Sequence, residues 1–225
     1  MKLYQYSAIY DFMADCVQGD PYEVAHAQRV LCNVLQIAKT EQGADARVLI
    51  AAALLHDIGR GEAAREHAVA GSEKAYVFLR KSGYPKSLAG HIAECILTHS
   101  YASGAPPRSI EARILFDADK LDLTGALGTA RAIEHCVLAR EPLYVLGENG
   151  LPGLGKKGEG PSLLRAYRKK LKNLPAALFT ATARKIAENN RQIQDAFFAH
   201  LAGEAKRAYA GGAKLLKAHT VRSQA

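Results

Sequence analysis

An apolar run without a polar residue, from Val48 to Leu55, is followed at once by His56 and Asp57. Because the run is apolar on every side, it predicts a helix packed at the centre of the protein. It is also far too short to span a bilayer. An imidazole and a carboxylate at the end of such a helix are costly to bury without partners. The fold therefore has to supply a group that compensates them.

Three other polar side chains also lie within or directly after an apolar segment that is predicted to be helical. His26 lies one turn before Val30 on the apolar stripe of another predicted helix, and Asp117 and Asp119 follow an apolar segment. A divalent cation bound by two histidines and two aspartates would compensate these residues together. Imidazole and carboxylate ligands suit Mn, Fe, Co, Ni or Zn, and not Ca. The alternative is that the histidines are ordinary core residues and that Asp117 caps a helix, each satisfied separately.

The remaining pattern is helical, and strand-like alternation never exceeds three or four residues. Asp20 is a predicted N-cap, with Pro21 at the first helical position. The predicted helices cover residues 21–42, 44–57, 65–81, 85–99, 109–121 and 125–140, and two more, separated by Pro175, lie between 162 and 207. The predicted fold class is all-α. A chain of 225 residues favours one domain over residues 1–225, with a C-terminal helical extension, residues 162–209, packed on the core and a frayed end.

Residues 141–163 form a long predicted loop with six glycines and three prolines. Loops of this length are usually functional or mobile. Lys156 and Lys157, which lie in it, could close over a polyphosphate as a lid. The alternative is that these two lysines only aid solubility.

The net charge of +8 is concentrated at the C-terminal end, where 15 basic and 4 acidic residues follow position 155. Such a region could attract nucleic acid, but its few aromatic residues are placed for packing and make a poor stacking surface. We therefore expect a solvated helix face and no nucleic-acid partner. The four cysteines form no C-x-x-C pair, and no signal peptide is evident, so we expect a cytoplasmic protein without a membrane partner.

The ordered set of His26, then Leu54-Leu-His-Asp-Ile-Gly59, then Asp117 resembles the H…HD…D signature of the HD-domain metal-dependent phosphohydrolases. Other segments are similar to a bacterial subgroup of mostly uncharacterised HD hydrolases that includes a nucleoside-triphosphate pyrophosphohydrolase. These segments are Asp20-Pro21, Arg29-Val30, Ile37-Ala38, Ile96–Ser100, Asp117–Asp122, Gly125-Ala126, Arg131 and Thr182–Ala187. The resemblance covers residues 10 to 205, and the sequence departs from it in the glycine-rich loop.

The resemblance implies a helical HD-domain bundle in which His26, His56, Asp57 and Asp117 bind a divalent transition metal. Manganese is the first expectation, and Ni, Co, Fe, Zn and Mg are alternatives. The implied substrate is a small phosphorylated compound, a nucleotide by preference, with hydrolysis of a nucleoside triphosphate to monophosphate and pyrophosphate as the specific expectation. A metal-activated water would be the nucleophile. Asp119 and Asp122 are expected to orient ligands or cap the helix.

Four further residues are candidates for the catalytic machinery. His67 and His99 fall where binuclear HD enzymes place two additional histidines, and a second metal, a phosphate or proton-donating role, and a structural role stay open. Arg29 and Lys120, one turn after His26 and Asp117, could neutralise phosphate oxygens, or form local salt bridges.

The sequence is also compatible with more than one role for two glutamates and for the chain as a whole. Glu62 and Glu66 could supply a general base, or simply begin a solvated helix. The whole protein could be a nucleotide-sensing module with a retained metal site, or a two-iron oxygenase of HD type. The apolar C-terminal helices could close the core or pair with a second subunit in a homo-oligomer.

Overall fold

The computed structural model describes residues 6–60, 67–100, 103–147 and 150–222, and within these ranges the fold is all-α. The only strand-like pairing there is an isolated antiparallel bridge between Leu146 and Pro152. The α-helices are α1 Ser7–Cys16, α2 Pro21–Ala38, α3 Ala46–Leu55, α4 His67–Lys81, α5 Lys86–Thr98, α6 Ile110–Leu121, α7 Gly125–Leu138, α8 Leu163–Lys169 and α9 Ala181–Arg222. A 3-10 helix, Leu171–Ala177, precedes α9. The predicted fold class is confirmed.

The chain divides into two compact units, where the sequence analysis expects one domain. The first unit runs to Asp122 and also includes Leu178–Arg184, and the second contains Leu123–Ala177 and the residues from Lys185 onward. The division has a physical basis, because the second unit has an apolar cluster of its own. This cluster comprises Cys136, Leu163, Leu164, Tyr167, Leu171 and Phe198. That the C-terminal extension packs on the core stays a prediction.

Helix α3 is the central helix of the first unit. Every residue from Val48 to Leu55 is buried, and α3 contacts α1, α2, α5 and α6. Its N-terminus is capped by Asp45, whose carboxylate accepts a hydrogen bond from the backbone N–H of Arg47 at 2.8 Å. Since α3 ends at Leu55, His56 and Asp57 lie in the turn that follows the most buried helix of the unit.

The helix boundaries follow the predicted caps, with some differences at the ends. Asp20 accepts a hydrogen bond from Tyr22 N at 2.9 Å, and Pro21 begins α2. Ser109 Oγ accepts from Ala112 N at 3.1 Å and begins α6. Helix α1, which buries only Ile9 and Met13, was not predicted, because so few inward residues give a weak pattern. The predicted frayed end is corrected, since α9 continues to Arg222.

Two glycines allow α4 to approach the turn after α3. A Cβ at Gly59 would lie 2.3 Å from His67 O and 2.5 Å from Gly71 N, which are both backbone atoms. Real Cβ atoms do not come so close to backbone, so this position requires glycine. The contact brings the start of α4, and with it His67, next to His56 and Asp57.

We expect Gly59→Ala to destabilise the protein, because neither backbone atom can move away without shifting α4. The expected loss is about 1–3 kcal/mol, typical of overpacking, read from the urea midpoint of unfolding. Gly90→Ala is the matched control, since Gly90 lies in α5 with open space around it. It should gain about 0.5–1 kcal/mol from helix propensity. Equal midpoints for the two variants would contradict the close-packing argument.

Candidate metal centre

His26, His56 and Asp57 form a compact, buried cluster. His26 comes from the interior of α2, and the other two from the turn after α3. The two Nε2 atoms are 3.2 Å apart. Asp57 Oδ2 lies 3.2 Å from His26 Nε2 and 3.2 Å from His56 Nε2. Three potential ligand atoms on two elements therefore meet at one point.

In each imidazole ring, the hydrogen bond made by Nδ1 determines whether Nε2, which faces the cluster, has a free lone pair. His56 Nδ1 lies 2.8 Å from Ala53 O, and His99 Nδ1 lies 2.6 Å from Ile96 O. A carbonyl oxygen only accepts, so Nδ1 is the donor in both rings. In neutral imidazoles this leaves the Nε2 lone pairs directed at the cluster, which is the arrangement of metal-binding histidines.

Asp122 performs the same task for His26. Its Oδ2 lies 2.8 Å from His26 Nδ1. The same carboxylate accepts two hydrogen bonds from Arg29, from Nε at 2.6 Å and from Nη2 at 2.9 Å. Arg29 thus orients His26 through Asp122. The prediction that Asp122 orients a ligand agrees with this contact, and the local salt bridge expected as one role of Arg29 is the one observed.

The structure places Asp119, and not Asp117, beside the histidines. Asp119 Oδ1 is 3.4 Å from His26 Nε2 and 4.0 Å from His56 Nε2. Asp117 instead accepts hydrogen bonds from Phe179 N, at 2.9 Å, and from Thr180 N and Oγ1, both at 2.7 Å. On a helix, residues two apart point about 200° away from each other, so the two carboxylates cannot face the same cluster.

This arrangement corrects the predicted ligand set. Asp117 is a cap for the segment that begins α9, so its role is that of a helix cap and not that of a ligand. Burial raises the pKa of Asp117, although its hydrogen bonds to Phe179 and Thr180 act in the opposite direction. The fourth acidic group of the cluster is Asp119.

The carboxylate of Asp57 is the unusual feature of the cluster. Within the described ranges, both of its oxygens are buried and lack a hydrogen-bond partner. Burial raises the pKa of Asp57, but the charge of His56 and the contacts with His26 outweigh burial and hold it well below its usual range. A buried anion requires nearby positive charge, and Arg60 Nε, 2.7 Å from Asp57 Oδ2, supplies part of it.

The carboxylates around His26 also favour positive charge at the cluster. Burial lowers the pKa of His26, but the adjacent carboxylates of Asp119, Asp122 and Asp57 outweigh burial and raise the pKa to about 10. Without an ion, the cluster therefore holds a proton among these carboxylates. A divalent cation would meet the same demand.

The spacing of the cluster fits one small cation. Two ligand atoms each about 2.1 Å from a metal stand roughly 3.0–3.4 Å apart in octahedral or tetrahedral geometry. The distances among His26, His56 and Asp57 are 3.2 Å, and Asp119 is slightly farther. These four residues would hold the ion, and their N and O donors match the metals expected from the sequence.

Asp57 also belongs to a second group that could hold a metal, with His67 and His99. Its Oδ1 lies 3.6 Å from His67 Nε2 and 3.5 Å from His99 Nε2. Burial lowers the pKa of His99. The structure brings both predicted histidines to the cluster, and all of their proposed roles remain compatible with this position.

The remaining predicted residues have different outcomes. Lys120 Nζ lies 2.5 Å from Asp119 Oδ2 and 3.3 Å from His99 O, so it reaches the cluster but is paired there. Glu62 and Glu66 lie outside the described residues. Lys156 and Lys157 are exposed residues of the second unit, and their role as a lid stays a prediction.

Sequence reasoning missed two residues at the edge of the cluster. Arg60 Nε lies 2.7 Å from Asp57 Oδ2, and Arg60 Nη1 lies 3.7 Å from Glu23 Oε1. The signals were present, since Arg60 follows Asp57 by three residues and Glu23 precedes His26 by three. Both spacings place a side chain on the same side of the chain as a cluster residue.

Fold and site together define an all-α protein with a buried His/Asp centre suited to a divalent metal. Residues 24–124 match the family model described as "HD domain". The uncharacterized protein YpgQ of Bacillus subtilis (strain 168) is 29% identical over 180 residues, which cover 78% of this chain and 80% of YpgQ.

Solved structures agree with this match. The structure of B. subtilis YpgQ in complex with ADP has a TM-score of 0.71 and 25% identity, over 90% of this chain and 95% of YpgQ. A predicted HD superfamily hydrolase from an uncultured Thermotogales bacterium has a TM-score of 0.60 and 25% identity, over 91% and 99% of the two chains. Residues 24–124 thus match the HD-domain model, and the fold of the described residues is similar to those of YpgQ and of this hydrolase.

Two aspartate substitutions distinguish a ligand from a cap. Asp119→Asn should weaken Mn²⁺ binding by about 10- to 100-fold, because it removes a charged group beside His26. Asp117→Asn should leave Mn²⁺ affinity within about threefold. It should lower the unfolding free energy by about 1–3 kcal/mol, since charge-assisted hydrogen bonds to Thr180 are lost. Calorimetric titration and urea unfolding measure the two effects, and the reverse pattern would restore Asp117 as the ligand.

Proposed function

We propose that this protein is a divalent-metal-dependent phosphohydrolase. The observation that carries the proposal is the carboxylate of Asp57, buried without a hydrogen-bond partner in the described ranges and faced by imidazole Nε2 atoms. The match of residues 24–124 to the HD-domain model supports the same reaction class. Manganese is the first candidate for the metal, as expected from the sequence.

The residues of the cluster divide the work of such a reaction. His26, His56, Asp57 and Asp119 would hold the ion, which, when bound, lowers the pKa of water and neutralises phosphate charge. Asp122 and Arg29 orient His26. His99 and His67 lie beside Asp57, where their Nε2 atoms could donate to a phosphate oxygen or protonate the leaving group.

The substrate we propose is a nucleotide, and the reaction is hydrolysis of a nucleoside triphosphate to monophosphate and pyrophosphate. Support comes from the similar protein YpgQ, which has been crystallised in complex with ADP. The positive groups around the cluster suit a polyanionic substrate as well, because Arg29, Lys120 and Arg60 all lie within contact distance of its carboxylates.

A two-iron oxygenase is the second candidate, and one observation favours it. Asp57 is shared between the group with His26 and His56 and the group with His67 and His99. A carboxylate placed in this way could bridge two metal ions. Iron analysis of the purified protein tests this candidate, which predicts two irons per chain.

The first prediction concerns the reaction. With Mn²⁺, the full chain should release pyrophosphate from nucleoside triphosphates, scored separately from phosphate across a panel of mono-, di- and triphosphates. Asp57→Ala should abolish this release, because it removes the carboxylate at the centre of the cluster, while far-ultraviolet circular dichroism remains helical. Full activity in this variant would refute the proposal. A silent panel with metal confirmed bound would point to another phosphate compound or to a sensor.

The second prediction concerns pH. Since the pKa of His26 is raised to about 10, a metal ion must displace one proton at any lower pH. Mn²⁺ affinity should therefore rise with pH, by roughly tenfold per unit between pH 6 and 8. Calorimetric titrations in two buffers with different protonation enthalpies should reveal the released proton. An affinity that does not change with pH would show that His26 is neutral before the ion binds.

A further inference from the structure

Arg60 lies at the edge of the metal centre. Its Nε forms an ion pair with Asp57 Oδ2 at 2.7 Å. Its Nη1 is 3.7 Å from Glu23 Oε1, which is beyond hydrogen-bond distance. The side chain is 40% exposed. A guanidinium whose terminal amino groups make no hydrogen bond in the described ranges therefore reaches from solvent to the buried carboxylate.

The other two cations near the centre, Arg29 and Lys120, already donate hydrogen bonds within it. Arg29 donates through Nε and Nη2 to Asp122. Lys120 donates to Asp119 and to the backbone oxygen of His99, and it is buried. Using either of them on a substrate would break contacts that organise the centre. Arg60 contacts Asp57 through Nε, so its two terminal amino groups can face a substrate while that contact is kept.

Glu23 holds Arg60 from the other side. It lies in α2, one turn before His26, with its side chain 19% exposed. Its Oε2 is buried and without a hydrogen-bond partner in the described ranges. A carboxylate at the edge of a site for anions repels a phosphate unless a cation offsets it, and the cation beside Glu23 is Arg60. The position of Glu23 is therefore explained if its carboxylate orients the guanidinium of Arg60.

We propose that Arg60 binds a phosphate group of the substrate and that Glu23 is the residue that positions it. The inference rests on the proposed function and specifies which residue receives the substrate's charge. The Nη groups of an arginine can donate two parallel hydrogen bonds to one phosphate. With an ion on Asp57, the carboxylate's charge is shared, and Glu23 becomes the main anion that orients Arg60.

The test compares four variants of the full chain with the wild type: Arg60→Ala, Arg60→Lys, Glu23→Gln and the double variant Arg60→Ala/Glu23→Gln. Calorimetry measures the affinity for Mn²⁺ alone and then for ADP in the presence of Mn²⁺. Arg47→Ala is the matched control, since Arg47 is an exposed arginine of the same unit that forms an ion pair with Asp45, away from the metal centre.

Arg60→Ala should raise the Kd for ADP by about 10- to 100-fold, the effect of losing hydrogen bonds to a charged group. Its Mn²⁺ affinity should stay within about threefold of wild type, as should both affinities of Arg47→Ala. Arg60→Lys should recover only part of the loss, because an ammonium lacks the planar fork. Glu23→Gln should weaken ADP binding by about 3- to 10-fold alone, and add nothing when Arg60 is already alanine.

Four results would overturn the inference. Wild-type affinity for ADP in Arg60→Ala, or no ADP binding by the wild type, would remove Arg60 from the substrate site. A Mn²⁺ affinity that falls more than about tenfold in Arg60→Ala would show that Arg60 organises the metal centre instead. Tighter ADP binding in Glu23→Gln would show that Glu23 only repels phosphate.

Failure of the proposed function would give a different set of results. A wild-type protein that binds Mn²⁺ and ADP, with ADP binding dependent on Arg60, but that hydrolyses no phosphate compound, would retain the inference and lose the hydrolase. Hydrolysis by the wild type, with a KM and an ADP affinity that are unchanged in Arg60→Ala, would retain the hydrolase and overturn the inference.

Discussion

The first unit is organised around one electrostatic problem, which is how to keep the carboxylate of Asp57 charged in a place from which water is excluded. The central helix α3 creates the problem, because its buried face delivers Asp57 to the interior. The surrounding elements answer it: α2 supplies His26, α4 supplies His67, α5 ends at His99, and α6 supplies Asp119. The carboxylate of Asp122 then holds His26 in position, and backbone carbonyl oxygens hold His56 and His99. Each element therefore contributes to a site for positive charge.

The central helix and its neighbours α2, α5 and α6 could be predicted from the sequence, because their signals are local. An apolar run on every side of a helix, a cap before Pro21 and a serine before α6 all act within a few residues. The structure confirms these helices and caps and brings His26 and His56 together, and their role as ligands stays a prediction. The start of α9 and the division into two units depend on which segments meet in space, and periodicity along one chain does not contain that information.

The assignment of Asp117 shows how a matching order of residues can mislead. Three aspartates stand at 117, 119 and 122 in α6 and its cap, and the motif alone does not choose among them. Helical geometry does, because Asp119 and Asp122 are about one turn apart and share a face, whereas Asp117 points away. Asn33, which donates from α2 to Ala118 O at 3.1 Å, joins the two helices on the side between them. A helical wheel would have selected Asp119.

Asp117 nevertheless matters to the centre, through the connection it makes. The unit that holds the centre is discontinuous in sequence, because Leu178–Arg184 belong to it although Leu123–Ala177, which precede them, belong to the second unit. Asp117 accepts hydrogen bonds from Thr180, within Leu178–Arg184. During synthesis, α6 is made long before Thr180. The carboxylate of Asp117 lacks this donor until more than sixty further residues have been added. The residues of the candidate metal centre thus all precede Leu123, yet α6, which carries Asp119, gains its hydrogen bonds through Asp117 only when Thr180 has been made.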